Sequence, residues 1–149
     1  MLDFLRKLFS YDEWAMGRSF SSLENFEQKQ SEGLFAHILL AEKIWLVRLN
    51  GEDSSHIPTF KEIPLAECAK MADELHQGYL DFLDSLTEEA LDSKIPYKNT
   101  KGVEFQTSIK DILTHVGLHG VYHRGQIALL VRGSGGEAVN TDFITFTRL

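Results

Sequence analysis

The chain has 149 residues, of which 43% are hydrophobic and 25% charged, the balance of one globular domain with room for a proper core. No apolar run approaches the ~20 residues that cross a bilayer, and Met1–Phe9 mixes charge into its apolar residues as a secretory leader does not. A formal net charge of -7 argues against a nucleic-acid partner, and the single cysteine, Cys68, excludes an internal disulfide framework and fits a reducing, cytoplasmic setting.

Four segments carry helical signals. From about Leu2 to Phe26, the residues Phe4, Leu5, Leu8, Trp14, Ala15 and Phe20 form a loose apolar stripe at helical spacing. A second helix is expected from about Glu32 to Leu49, with Ser31 as its N-cap and Asn50-Gly51 as its stop. The third begins near Pro64 and continues to about Leu86. Its Leu65, Cys68, Ala72, Leu75, Tyr79, Phe82 and Leu83 share one face, opposite a solvated acidic one. The fourth runs from about Ser108 to Val131, opened by Ser108 with Asp111 three positions on and ended by Gly133-Ser-Gly-Gly136.

The connections are informative as well. Glu52 to Ile63, with Pro58 in it, exceeds a tight helix–helix turn and lets the third helix run parallel to the second. Between the third and fourth helices, Lys94–Tyr97 and Val103–Thr107 flank Asn99-Thr-Lys-Gly102, the pattern of a small β-hairpin. The expectation is an all-α fold with a minor β decoration, in a single domain over residues 1–149.

The fourth helix carries the chemistry. His115, His119 and His123 recur every four residues, and residues four apart differ by about 40° around a helix, so the three rings leave one side. The row spans about 12 Å at ~1.5 Å per residue, so one ion can take two of these rings and needs a third ligand from elsewhere. His37, on the face of the second helix that also holds Leu34, Ala41, Ile44 and Arg48, can supply it. A histidine aimed into a bundle needs partners for its ring nitrogens, because an unpaired buried polar group costs ~1–3 kcal/mol. His56, in a loop, and His76, among acidic residues, stay outside this cluster. Val116 and Gly120 follow His115 and His119 where a zincin peptidase carries a glutamate, which speaks against that chemistry. Gly117, Gly120 and Gly125 lie inside the same helix, each at a cost of ~1 kcal/mol relative to alanine. They cluster with Leu113, Val121, Ala128 and Val131 away from the histidines, so this helix is expected to be buried on both sides, against another helix or a second subunit.

Four segments occur in the order Tyr11-Asp-Glu-Trp14, His37-Ile-Leu-Leu-Ala-Glu-Lys-Ile-Trp45, His115-Val-Gly-Leu-His-Gly-Val-Tyr-His-Arg-Gly-Gln126 and Thr141-Asp-Phe-Ile144. In these the chain resembles the DinB/YfiT family of metal-dependent proteins. The resemblance implies a four-helix bundle of up-down-down-up topology, often a homodimer, with one divalent ion on three histidines. Carried over by position, those ligands are His37, His119 and His123, with His115 a neighbour and Arg48, Gln126 and Trp45 as further residues of the pocket. Zinc is the first expectation for the ion, with nickel, iron or manganese as alternatives. The family is named for DNA-damage induction, which describes expression and implies no DNA contact.

Three functions follow from such a site. The first is transfer of a low-molecular-weight thiol, such as bacillithiol or mycothiol, to an electrophilic small molecule, as in similar proteins with an assigned reaction. Arg48 would then recognise a carboxylate, unless it forms a surface salt bridge near the helix end. The second is hydrolysis by metal-bound water. Its general base is not evident, because Glu42 points away from His37 and Asp12, Glu104 and Asp142 cannot be placed from sequence. The third is a non-catalytic, metal-stabilised or metal-sensing protein. Trp14 and Trp45 read as core aromatics, Cys68 as a buried small hydrophobe, and Arg124 as the partner of a carboxylate or of a second subunit.

Overall fold

Four long helices, α1 (Leu2–Asn25), α2 (Lys29–Leu49), α3 (Leu65–Asp84) and α4 (Ile109–Gly133), carry the chain in a computed structural model that describes residues 1–149. A 3-10 turn (Glu89–Asp92) follows α3, then strands β1 (Lys94–Lys98) and β2 (Glu104–Ser108), and a short α5 (Phe143–Phe146) closes the chain. The strands pair antiparallel with Lys94 opposite Ser108 and Lys98 opposite Glu104, which is the expected hairpin between the third and fourth helices.

The apolar contacts fix the helix directions. Leu2, Leu5 and Phe9 of α1 pack with Tyr79 and Leu83 near the end of α3 and with Ile109, Ile112 and Leu113 at the start of α4. Met16 and Leu23 meet Ile127 and Val131, and Phe35, Ile38 and Leu39 of α2 meet Cys68 and Leu75 of α3. Helix α1 is therefore parallel to α4 and antiparallel to α3, and α3 is parallel to α2, so the bundle runs up-down-down-up. The long connection after α2 is what makes two successive parallel helices possible.

Several local expectations need correction. Ser31 is not the cap of α2. Gln28, in an extended conformation, accepts a hydrogen bond from the Ser31 amide at 2.6 Å, so the helix starts earlier and Ser31 lies buried inside it. Phe4 is 51% exposed, while Tyr11 and Asp12, outside the expected stripe, are buried. His76 stays outside the histidine cluster, as expected, and its Nε2 reaches Glu13 of α1 at 3.1 Å. Ser108 does cap α4, accepting from the Asp111 amide.

The apolar layers enclose one ionic contact. Arg124 of α4 and Asp12 of α1 meet at 2.5 Å, with side chains 1% and 10% exposed. Gly120 makes room for it, since a Cβ there would stand 2.8 Å from both Arg124 Nη1 and Asp12 Oδ1. Gly117 likewise admits Leu8 of α1, so α1 fills the small side of α4 at Gly117 and Gly120, while Gly125 and Val121, expected to be buried with them, face open space. The outer α4 residues Leu118, Val121, Tyr122 and Leu129 stay exposed.

The segment after α4 straps α1 down. Tyr11 Oη donates to the Thr141 carbonyl at 2.8 Å, Arg18 Nε to the Asn140 carbonyl at 2.8 Å and Ser22 Oγ to the Glu137 carbonyl at 3.2 Å. Phe143 and Phe146 of α5 close on the Tyr11 ring.

Asp12→Ala leaves the Arg124 guanidinium buried and unpaired, which costs ~3–5 kcal/mol. Urea denaturation of the two proteins at pH 7 reads this directly, and a loss below ~1 kcal/mol would show that the pair is screened by water.

Candidate metal centre

The antiparallel packing of α2 on α4 sets His37 opposite the histidine row. One ring nitrogen from each of His37, His119 and His123 lies within 4.8 Å of the others. The His119 and His123 Nε2 atoms are 3.1 Å apart, and the His37 ring stands edge-on to both, with centroids 5.1 Å from His119 and 4.7 Å from His123.

Two of the rings are oriented from behind. His37 Nδ1 lies 2.6 Å from the Thr59 carbonyl. A carbonyl only accepts, so Nδ1 holds the proton and Nε2 presents a bare lone pair. His123 Nδ1 lies 2.7 Å from Gln126 Oε1, which fixes that ring in the same way. Such partners select the tautomer that a metal-ligating histidine needs. In the metal-free protein, one proton between His119 and His123 Nε2 is all that separates two lone pairs.

The donor set fits a small divalent cation. Nitrogen ligands at ~2.0–2.1 Å around a tetrahedral ion stand about 3.3 Å apart, close to the His119–His123 separation of 3.1 Å, and all three ligand atoms lie within 4.8 Å of one another. The three rings would carry no charge, and no carboxylate belongs to the cluster. Burial and its three neighbouring imidazoles, His123 first, push His119 down to about 4. His37 is also lowered, by burial above all, against the opposing hydrogen bond to Thr59. Both rings are therefore neutral, and free to ligate, at physiological pH.

The other expected residues are placed as follows. His115 is exposed at the end of the row, 5.8 Å from His119 and edge-on to Trp45 at 5.3 Å between ring centroids. Trp45 is half-buried and packs on the core at the α1, α3 and α4 contacts, with one edge towards His115. Arg48 forms no salt bridge. It donates from Nε to Ser54 Oγ at 3.0 Å and from Nη2 to the Lys98 carbonyl at 2.9 Å, and lies over both Trp45 and Tyr97. Eleven residues separate it from His37, about 16 Å along the helix, so it lies well beyond the cluster. Of the acids, Asp12 is committed to Arg124, Glu104 pairs with Lys98 on the hairpin, and Asp142 precedes α5. Glu42 is buried on the opposite side of α2. Cys68 is buried and its thiol is pushed up to about 11 by desolvation, as suits a packing residue.

Two residues of the site had no signal in their own sequence context. Thr59 supplies the carbonyl behind His37, and Phe60 stacks on that ring with centroids 4.0 Å apart and planes within 3°. Both belong to the long connection between α2 and α3, whose excess length was the one pointer to a role.

This architecture has counterparts among known proteins. The DinB family profile matches residues 1–149. The chain belongs to the DinB family. A curated DinB relative, protein DinB of Bacillus subtilis (strain 168), is 26% identical over 162 aligned positions, covering 96% of this chain and 93% of that one. The crystal structure of a DinB-like protein from Bacillus cereus matches with a TM-score of 0.59 at 15% identity over 89% of each chain, a likeness of fold alone. No helix of this DinB protein is long and apolar enough to cross a membrane.

The shift of His119 has a measurable consequence. Unfolded histidine titrates near 6.5, so between pH 6.5 and about 4 the unfolded chain binds a proton that the folded ring refuses. Metal-free protein should be at full stability above that window and lose stability as pH falls through it. Urea midpoints from pH 7.5 to 4.5 should fall less steeply in His119→Gln than in the wild type, and identical slopes would contradict the shift.

Proposed function

We propose that this protein is a metal-dependent enzyme that transfers a low-molecular-weight thiol to an electrophilic small molecule. The observation that carries the reading is a cluster of three imidazoles, two of them fixed from behind, with no carboxylate among them. A divalent ion on His37, His119 and His123, zinc first among the candidates, would supply undiminished positive charge, which favours a thiolate at neutral pH.

The chain's own residues divide the remaining work. Thr59 and Gln126 hold two of the ligating rings against rotation. Phe60 covers His37 on the solvent side, and Trp45 touches both His115 and Arg48. Arg48 Nη1 makes no hydrogen bond, and can meet a carboxylate at the far end of an extended thiol or substrate. His115, the ring outside the cluster, is the nearest group able to take the thiol proton. In the transfer, an S–C bond forms as the bond from carbon to the leaving group breaks. The leaving group departs with the electron pair, and the proton passes to solvent. The absence of a carboxylate beside the cluster favours this reaction over hydrolysis, which calls for a general base. A thiol-using reaction also suits the reducing cytoplasm.

A homodimer is part of the proposal. Leu118, Val121, Tyr122 and Leu129 are 61%, 42%, 64% and 70% exposed along one outer stripe of α4, a contiguous apolar surface of the kind that pairs.

Metal analysis of untagged protein should give about one ion per chain, and His119→Ala should lose it while helicity survives. The loaded wild type should conjugate monochlorobimane only with an added thiol. Ester turnover without thiol would replace transfer by hydrolysis, and no ion even after zinc loading would overturn the enzyme reading. Sedimentation at micromolar concentration should give twice the chain mass, reduced to one chain by Leu129→Glu.

A further inference from the structure

A second site lies on the other side of α2, away from the histidines. Helices α1, α2 and α3 enclose a cavity of about 270 Å³. Phe9, Met16, Phe20, Phe35 and Leu39 make its apolar walls, Asp12 and Glu42 are buried in it, and Glu13, Asp73 and His76 stand around the opening. An apolar cavity of about 150 Å³ already admits benzene, so this one has room for a ring with a short chain.

The polar groups of this cavity are all of one kind. Glu42 is 7% exposed and its Oε1 has no hydrogen-bond partner. The donors in the lining are already used: Tyr79 Oη donates to the Glu42 carbonyl at 2.8 Å, and His76 Nε2 is paired with Glu13 at 3.1 Å. Asp12 is held by Arg124. What remains free in the lining is acceptors, with the negative charges of Glu13 and Asp73 at the mouth, while the unpaired Nε and Nη2 of Arg124 lie outside it. An unpaired acceptor in such a place costs ~1–3 kcal/mol, and a ligand that brings a donor recovers it.

We propose that this cavity binds a small organic amine in its cationic form, with the apolar body among the phenylalanines and the ammonium group on Glu42. The site is independent of the metal centre and of the reaction assigned to it. Burial, with Asp12 close by, raises the Glu42 carboxyl well above the ordinary carboxylate range against the opposing Arg124 guanidinium, so it holds its proton more readily than an exposed carboxyl. The groups that face it are Asp12 and Glu13 of α1, Asp73, His76 and Tyr79 of α3, and Arg124 of α4. An arriving ammonium replaces that proton, which leaves to solvent, and the cavity keeps its net charge.

Phenethylamine is the probe, with 2-phenylethanol as its neutral counterpart and phenylacetate as the anion. Calorimetric titration of full-length protein at pH 7 should show saturable amine binding, tighter than the alcohol by about tenfold or more, and none of the acid. Titration in buffers of different ionisation enthalpy should show release of about one proton per amine bound. Glu42→Gln should weaken the amine by about tenfold or more and abolish proton release. Ala72→Leu, which fills the cavity from its rim, should weaken amine and alcohol together. Metal-loaded and metal-free protein should bind alike. Equal binding of amine and alcohol, affinity unchanged in either variant, or no saturable binding would each overturn the proposal. Should Glu42→Gln fail to fold, Ala72→Leu and the alcohol comparison decide it.

Discussion

The buried contact between Arg124 and Asp12 sets the rotation of α4, and most of the molecule's chemistry depends on that rotation. A guanidinium in an apolar bundle has one tolerable direction, towards its carboxylate. Arg124 is committed to α1 by this need, and His123, one residue earlier and about 100° around the helix, then turns to α2. His119 follows at one turn's distance and meets the same partner helix. Gly120 belongs to the same constraint, because the space beside it is filled by the ion pair itself. The histidine cluster is thus positioned less by its own contacts than by a charge pair on the other side of the helix.

Helix α2 divides the protein into two chemical environments. His37 and Glu42 are five residues apart, about 140° around the helix, and so face opposite ways. On the His37 side are neutral nitrogen donors, aromatic walls and an arginine at a distance. On the Glu42 side are carboxyl groups, a buried arginine and an apolar lining. Separation of acids from imidazoles keeps each set usable, because a carboxylate among the imidazoles would reduce the positive charge of a bound ion.

Much of this was legible in the residues. Helical periodicity locates all four long helices, the Asn/Gly turn the hairpin, and the four-residue histidine spacing the shared side of α4. The connection of residues 52–63 was long enough to signal parallel helices, but no pattern could show that Thr59 and Phe60 come to rest on His37. Those contacts depend on a path through space and on a backbone carbonyl, which every residue possesses. Ser31 was misread because a serine at a helix start is an ordinary cap, whereas Gln28 caps three residues earlier and takes the amide of Ser31 itself. Asp12 and Arg124 are 112 positions apart, and their pairing is a tertiary fact that composition conceals. The apolar outer stripe of α4 was likewise hidden, since periodicity could not distinguish burial against α1 from exposure.

The strap beyond α4 has a bearing on how the chain is made. Residues 137–146 hold α1, which is synthesised more than a hundred residues before them, through three carbonyl groups and two phenylalanine rings. α1 also packs along α4, the last long helix. The native arrangement of the first helix therefore waits on the last part of the chain, and its contacts are among the most distant in sequence, the kind that slow folding. Until then, the apolar face of α1 and the charge of Asp12 are both exposed on a nascent polypeptide, the condition in which chaperones act. Within the bundle, α1 is thus among the last elements to reach its native packing.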